Sequence, residues 1–100
     1  MRSGYRILWT DHSLSELERT VEYLQLNFSE AEITRLAKAV ESTISNISNN
    51  PLMYPESAET NGVRRAVILR FNSLYYRLKN ESEQVEVLSF FSNRQNPELK

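Results

Sequence analysis

Apolar residues recur first at a helical and then at a strand-like period along this chain, and the change of period divides it into two halves. Residues 5–9, YRILW, are a short aromatic and aliphatic run ending at Thr10, which predicts a first strand. Leu14, Leu17, Val21, Leu24 and Phe28 follow at spacings of three and four, the stripe of an amphipathic helix. Asp11 or Ser13 is expected to cap it, and Ser13 with Glu16 fits a capping box. After Asn27-Phe28-Ser29, a second box, Ser29-Glu30-Ala31-Glu32, opens a helix whose stripe is Ile33, Leu36, Ala37, Val40, Ile44 and Ile47. So short a turn makes the helices antiparallel. Their joint apolar face is too wide for either to cover, which calls for a second layer.

Asn49-Asn50-Pro51 ends the second helix, because the residue before proline is pushed out of the helical region and Asn tolerates a C-cap. Residues 52–61 read as a loop that is long for a compact domain, either functional or a plain connector. From Gly62 the period becomes two. A strand from Val63 to Phe71, a turn at Asn72-Ser73, a strand from Leu74 to Lys79, a polar turn at 80–84 and a strand from Val85 to Phe91 are expected. In the second of these strands Leu74, Tyr76 and Leu78 oppose Tyr75, Arg77 and Lys79, so one sheet face is apolar and the other carries Arg and Tyr. The expected class is α+β in the order β-α-α-β-β-β: a helical hairpin packed on one face of a mainly antiparallel sheet, with the first strand at an edge. A single domain over residues 1–100 is expected.

Composition adds exclusions. With no cysteine, a disulfide-stapled module, a thiolate enzyme and a Cys-type zinc fold are ruled out. No apolar run approaches the roughly 18 residues of a membrane span, and the first residues lack a signal-peptide core, so a cytoplasmic protein is expected. The formal charge of −1 hides a partition. Residues 1–61 carry five Lys/Arg against nine Asp/Glu, residues 62–80 carry five basic side chains and no acid, and residues 81–100 carry two against four. A local cationic strip of this kind suits an acidic peptide, a phosphate or a nucleic-acid backbone.

Catalytic signatures are few. There is no G-x-S-x-G, no Walker loop and no H-E-x-x-H. His12, the one histidine, stands four residues before Glu16, but two ligands make no metal site, so no metal and no cofactor are expected. Glu18 and Glu22 share a helix face that reads as solvated. The remaining chemistry is cationic: Arg64, Arg65, Arg70, Arg77 and Arg94, interleaved with Tyr75 and Tyr76, can grip phosphates or stack on a partner's groups. Arginine can also stabilise a phosphoryl transition state, with Glu56, Glu59 or a tyrosine as the base.

In order and length the motifs YRILWTDHSLSELERTVEYL, ISNNPLMYP, GVRRAVILRFNSLYYRLKN and VEVLSFFSNRQNP resemble the RelE/ParE superfamily, the toxins of bacterial type II toxin-antitoxin pairs, also labelled plasmid stabilisation proteins. The likeness implies two alternatives. A ParE-like toxin would bind and inhibit DNA gyrase, with Arg64, Arg77 and Arg94 as target contacts. A RelE-like toxin would be a ribosome-dependent mRNA interferase, an endoribonuclease with Arg64 and Arg94 on the phosphate and Glu56 or a tyrosine as base. After Arg94 the chain reads QNPELK, without the Tyr or His of the ribonuclease branch, and its net charge is acidic; both departures favour the ParE-like branch. A toxin whose retained function is only to bind its antitoxin is the third reading. All three imply a cognate antitoxin, a segment that folds on the toxin near the helical hairpin and adds a strand to the sheet, with Arg65, Arg70, Tyr75 and Leu26 as its expected contacts.

Overall fold

The computed structural model describes residues 4–79 and 82–92. The elements are β1 (Arg6–Trp9), α1 (Asp11–Asn27), α2 (Glu30–Asn49), β2 (Val63–Ile68), β3 (Asn72–Lys79) and β4 (Gln84–Ser92). They form one four-stranded sheet in the order β1-β4-β3-β2. β2-β3 and β3-β4 are antiparallel, and β1 lies parallel to β4 at the edge. Both helices lie on one side of the sheet, and the expected class and order of elements hold.

The core lies between these two layers. Leu24 of α1 and Leu36, Val40 and Ile47 of α2 meet Ala66, Ile68, Leu74, Tyr76, Val85, Val87 and Phe90 of the sheet, all buried. The register explains which strand residues point inward: Ala66 pairs with Leu74 and Leu74 with Phe90, so directly opposed side chains fill one face together. β1 is tied to the end of α2 as well as to β4. The Tyr5 N–H donates to the Ser48 carbonyl at 2.8 Å, and Ser48 Oγ donates back to the Tyr5 carbonyl at 2.8 Å. Gly4 stands so close that a Cβ there would run into Ser48 Oγ.

Four local expectations are corrected. α1 is capped by Thr10, not Asp11 or Ser13: Thr10 Oγ1 accepts from the Ser13 N–H at 3.1 Å. The box at α2 is not made, because the Ser29 side chain makes no capping bond and Glu32 turns to Arg35 instead, 3.1 Å away. Asn50 caps α2 with φ −152, outside the left-handed region expected of it.

The fourth correction moves a turn. Asn72 and Ser73 belong to β3, paired with Ile68 and Val67, and the chain reverses at Leu69-Arg70-Phe71. Asn72 Nδ2 donates to the Ile68 carbonyl at 3.0 Å and Ser73 Oγ accepts from Arg65 Nε at 3.0 Å, so these polar side chains serve the hairpin from inside the strand. Leu69 and Arg70 take the left-handed conformation, with φ of 51 and 70. Neither is the Gly or Asn that marks such a turn in a sequence. The turn expected at 80–84 falls partly outside the described residues.

Candidate binding surfaces

α1 positions the first candidate surface because its apolar stripe and its buried face do not coincide. Ser13, Thr20 and Leu24 are the buried residues of α1, whereas Leu14 and Phe28 are 43% and 39% exposed. At about 100° per residue, the stripe is rotated by about 60° from the face that meets the sheet. Small Ser13 and Thr20 let α1 approach β4 closely, and the larger apolar side chains are left along the seam with α2. The result is a groove of about 550 Å³ lined by Trp9, Leu17, Val21, Ile33, Ala37, Val40 and Ile44, with Lys38 and Glu41 at its rim. The expectation that the second layer would cover the whole hairpin face is therefore met only in part.

The second surface is the sheet face turned away from the helices. Leu8, Glu86, Arg77 and Val63 form one row across it, and Arg65, Tyr75 and Ser89 another. Arg65, Arg77, Lys79 and Val67 are exposed, and Tyr75 is half-buried among them. Arg77 Nε donates to Glu86 Oε1 at 2.9 Å, an exposed pair. The face is thus cationic and partly apolar, as the alternation along β3 predicts.

Arg64 does not join that face. It stands opposite Tyr76, on the inner side of β2. Its Nη1 donates to the Tyr54 carbonyl at 2.6 Å and reaches the Leu52 carbonyl at 3.4 Å, which pins the segment after α2 against the sheet. Tyr76 completes the latch: its hydroxyl donates to the Pro51 carbonyl at 2.7 Å, and its ring packs edge-on to Tyr54, 6.5 Å between centroids. Burial pushes the Tyr76 hydroxyl up to about 12, against the opposing pull of the Arg64 charge. Glu56 lies exposed across an antiparallel bridge from Arg64, and no ion pair joins them.

The remaining sequence-based candidates scatter. Arg70 sits at the tip of the β2-β3 hairpin, its guanidinium 5.8 Å from the Phe71 ring centroid. Leu26, 85% exposed, lies in the last turn of α1. Arg94 lies outside the described residues. The structure thus brings Arg65, Tyr75 and Arg77 together on one face and separates Arg64 and Arg70 from them. Among the described residues no group of three or more His, Asp or Glu side chains could hold a metal ion, and no helix is long and apolar enough to cross a membrane.

Glu16 has a role that its sequence context hides. β1 is short, so β4 runs on past its end with an open edge, and α1 lies along that stretch. Glu16 Oε1 accepts from the Phe90 N–H at 2.7 Å and from Ser89 Oγ at 3.1 Å, while Oε2 is 3.2 Å from His12 Nε2. The i, i+4 pair with His12 therefore belongs to a carboxylate that supplies a missing strand partner.

This architecture is shared with known proteins. The family model described as "ParE toxin of type II toxin-antitoxin system, parDE" matches residues 7–97. Among solved structures, the chromosomal ParDE toxin-antitoxin system from P. aeruginosa is similar at TM-score 0.73 and 13% identity, over 88% of this chain and 95% of that one. The RelBE2 toxin-antitoxin complex from Mycobacterium tuberculosis is similar at TM-score 0.64 and 18% identity, over 92% and 94% of the two chains. At these identities the structural likeness speaks for the fold. No curated protein sequence matches the chain.

Proposed function

The chain belongs to the ParE family of toxins of type II toxin-antitoxin systems, and from that premise we infer that it arrests growth by binding DNA gyrase and is neutralised by a cognate antitoxin. The family match over residues 7–97 carries this reading. Side-chain geometry supports binding over bond-breaking chemistry. Arg64 is turned to the Tyr54 and Leu52 carbonyls, Glu56 makes no ion pair with it, and His12 is engaged by Glu16. The cationic face around Arg65, Tyr75 and Arg77 is the target surface in this reading, with Arg94 as a further contact.

The antitoxin's place is the seam between α1 and α2. An amphipathic helix laid there would bury the apolar stripe that the sheet leaves uncovered, reading the groove at i, i+3 and i+4 spacing. A second antitoxin segment would pair with the part of β2 beyond Arg65. There the edge is no longer occupied by Pro55 and Ser57, which take the Arg65 N–H at 3.0 Å and give an N–H to the Val63 carbonyl at 2.6 Å.

The test is induction of the protein alone in bacterial cells, following growth, plasmid supercoiling and mRNA 5′ ends together. Growth arrest with lost supercoiling and intact transcripts is expected. Codon-phased cuts in mRNA with supercoiling preserved would replace this reading by the endoribonuclease alternative, in which Arg64 and Arg94 clamp the phosphate and Glu56 or a tyrosine is the base.

A further inference from the structure

The outer edge of β2 is occupied by the chain's own residues over its first half. Pro55, Glu56 and Ser57 lie antiparallel to it, around the bridge between Glu56 and Arg64. The Arg65 N–H donates to the Pro55 carbonyl at 3.0 Å, the Ser57 N–H donates to the Val63 carbonyl at 2.6 Å, and the Val63 N–H closes the turn on the Thr60 carbonyl at 3.4 Å. Main-chain groups alternate in direction along a strand, so Val63, Arg65 and Val67 face this edge while Arg64, Ala66 and Ile68 face β3. Past Pro55 the described edge leaves open the Arg65 carbonyl and the Val67 N–H and carbonyl. That is too little for a partner strand, which ordinarily pairs over about five or six residues. A strand added to β2 must therefore take the stretch from Val63 to Arg65 as well.

The segment on that stretch is held in a way that lets it leave. Residues 55–62 are exposed apart from half-buried Ser57, and Ala58 is the one apolar residue between 56 and 61, so leaving the edge exposes almost no apolar surface. Among the described residues its side chains add one hydrogen bond, Ser57 Oγ accepting from the Glu59 N–H at 3.3 Å, and that bond stays within the segment. The root is different. Pro51 is buried, and Tyr76 and Arg64 bind the Pro51 and Tyr54 carbonyls, so the chain before Pro55 keeps its place when the rest moves. At the far end Gly62 has φ 80, with no atom within 4 Å of where a Cβ would stand, which makes it an unobstructed pivot into β2.

We propose that residues 55–61 are a displaceable strap: they hold the place of a partner strand on β2 in the free chain, and an extended segment of the antitoxin removes them by a pivot at Gly62. The incoming segment gains a foothold at Val67, 53% exposed, and then replaces the bonds at Arg65 and Val63 in turn. Each lost strap bond is exchanged for an equivalent main-chain bond, so the exchange is nearly balanced and the longer pairing decides it. In the free chain the strap guards the edge against pairing with other chains. It also scales the antitoxin's apparent affinity by the fraction of chains whose edge is open. This inference rests on the antitoxin reading above and adds to it the step that opens the site.

The test is amide hydrogen exchange on the full chain, free and bound to its full-length cognate antitoxin. In the free chain the Arg65 and Ser57 amides are expected to exchange at least tenfold faster than the Leu74 amide of β3. In the complex the Arg65 amide should slow at least tenfold, while the Ser57 amide, deprived of its acceptor, speeds up. A lock reads the same step: in Ser57→Cys with Val63→Cys, checked for a native spectrum, the oxidised chain should bind the antitoxin at least tenfold more weakly than the same chain reduced. A Ser57 amide as slow in the complex as in the free chain, with the seam amides of Ala37 and Val40 newly slowed, would overturn displacement and leave the antitoxin reading intact. Equal affinity of the oxidised and reduced chains would overturn displacement too. Failure of the antitoxin to bind the chain at all would overturn the antitoxin reading itself, and displacement with it.

Discussion

Two arginines thirteen positions apart on neighbouring strands do opposite work. Arg64 holds main-chain carbonyls of a loop against the sheet, and Arg77 shares an exposed ion pair with Glu86. Removing the first leaves acceptors on a half-buried loop without a donor, and removing the second forfeits an interaction that solvent screens. Arg64→Leu is therefore expected to lower unfolding free energy by about 2 kcal/mol, and Arg77→Ala by less than about 0.5 kcal/mol, in urea titrations. Tyr76 gives the latch a pH dependence. Its folded pKa is about 12 against an ordinary value of 10.0, so between those values the unfolded chain has lost a proton that the folded one retains. Stability from this group is complete below pH 10.0 and is lost as pH rises toward 12. Denaturant midpoints should fall through that window. Tyr76→Phe should start less stable, because the Pro51 carbonyl loses its donor, and should show a shallower alkaline decline.

At the scale of elements, the short length of β1 decides how the rest is arranged. With four residues it cannot shield all of β4, and α1 takes over where β1 stops. A carboxylate at the sixth residue of the helix reaches the strand and accepts the Phe90 N–H, a use of Glu16 that no local motif announces. Glu16→Ala is expected to cost about 2 kcal/mol by orphaning that buried N–H, and Glu16→Gln to recover most of the loss because an amide oxygen still accepts. Hydrogen exchange at the Phe90 amide should accelerate in the first variant and stay slow in the second. The segment after α2 shows the same economy. Residues read as a loop supply the Pro55 carbonyl and the Ser57 N–H to the outer edge of β2, so part of that edge is already paired.

The molecule as a whole is two layers, with the seam of the helical hairpin and the outer face of the sheet both uncovered by the rest of the described chain. Their separation predicts that target and antitoxin functions can be uncoupled. Ala37 is exposed on the seam, so Ala37→Glu should leave the fold intact and weaken antitoxin binding by at least tenfold while toxicity persists. The double change Arg65→Glu with Arg77→Glu should do the reverse, abolishing toxicity with antitoxin binding at the seam retained. Co-purification with the antitoxin and growth after induction read the two effects separately. Loss of both properties in either variant would place both partners on one surface.

Periodicity alone determined the class, the order of elements and the inward-facing residues of β3, because a buried layer forces apolar side chains into register with the backbone repeat. The cationic segment was equally legible as a composition, and the likeness of the motifs to the toxin superfamily was legible in their order. Composition could not sort the arginines. Adjacent Arg64 and Arg65 point to opposite faces, and only the pairing of β2 with β3, and of β2 with the segment after α2, decided which face met carbonyls and which met solvent. The turn at Leu69-Arg70 was hidden because it runs against local preference, and the role of Glu16 because its partner is 74 residues away. Local chemistry acts on neighbours in sequence and is written there. The groove and the latch arise from segments brought together by burial of the core, so only the tertiary structure fixed them.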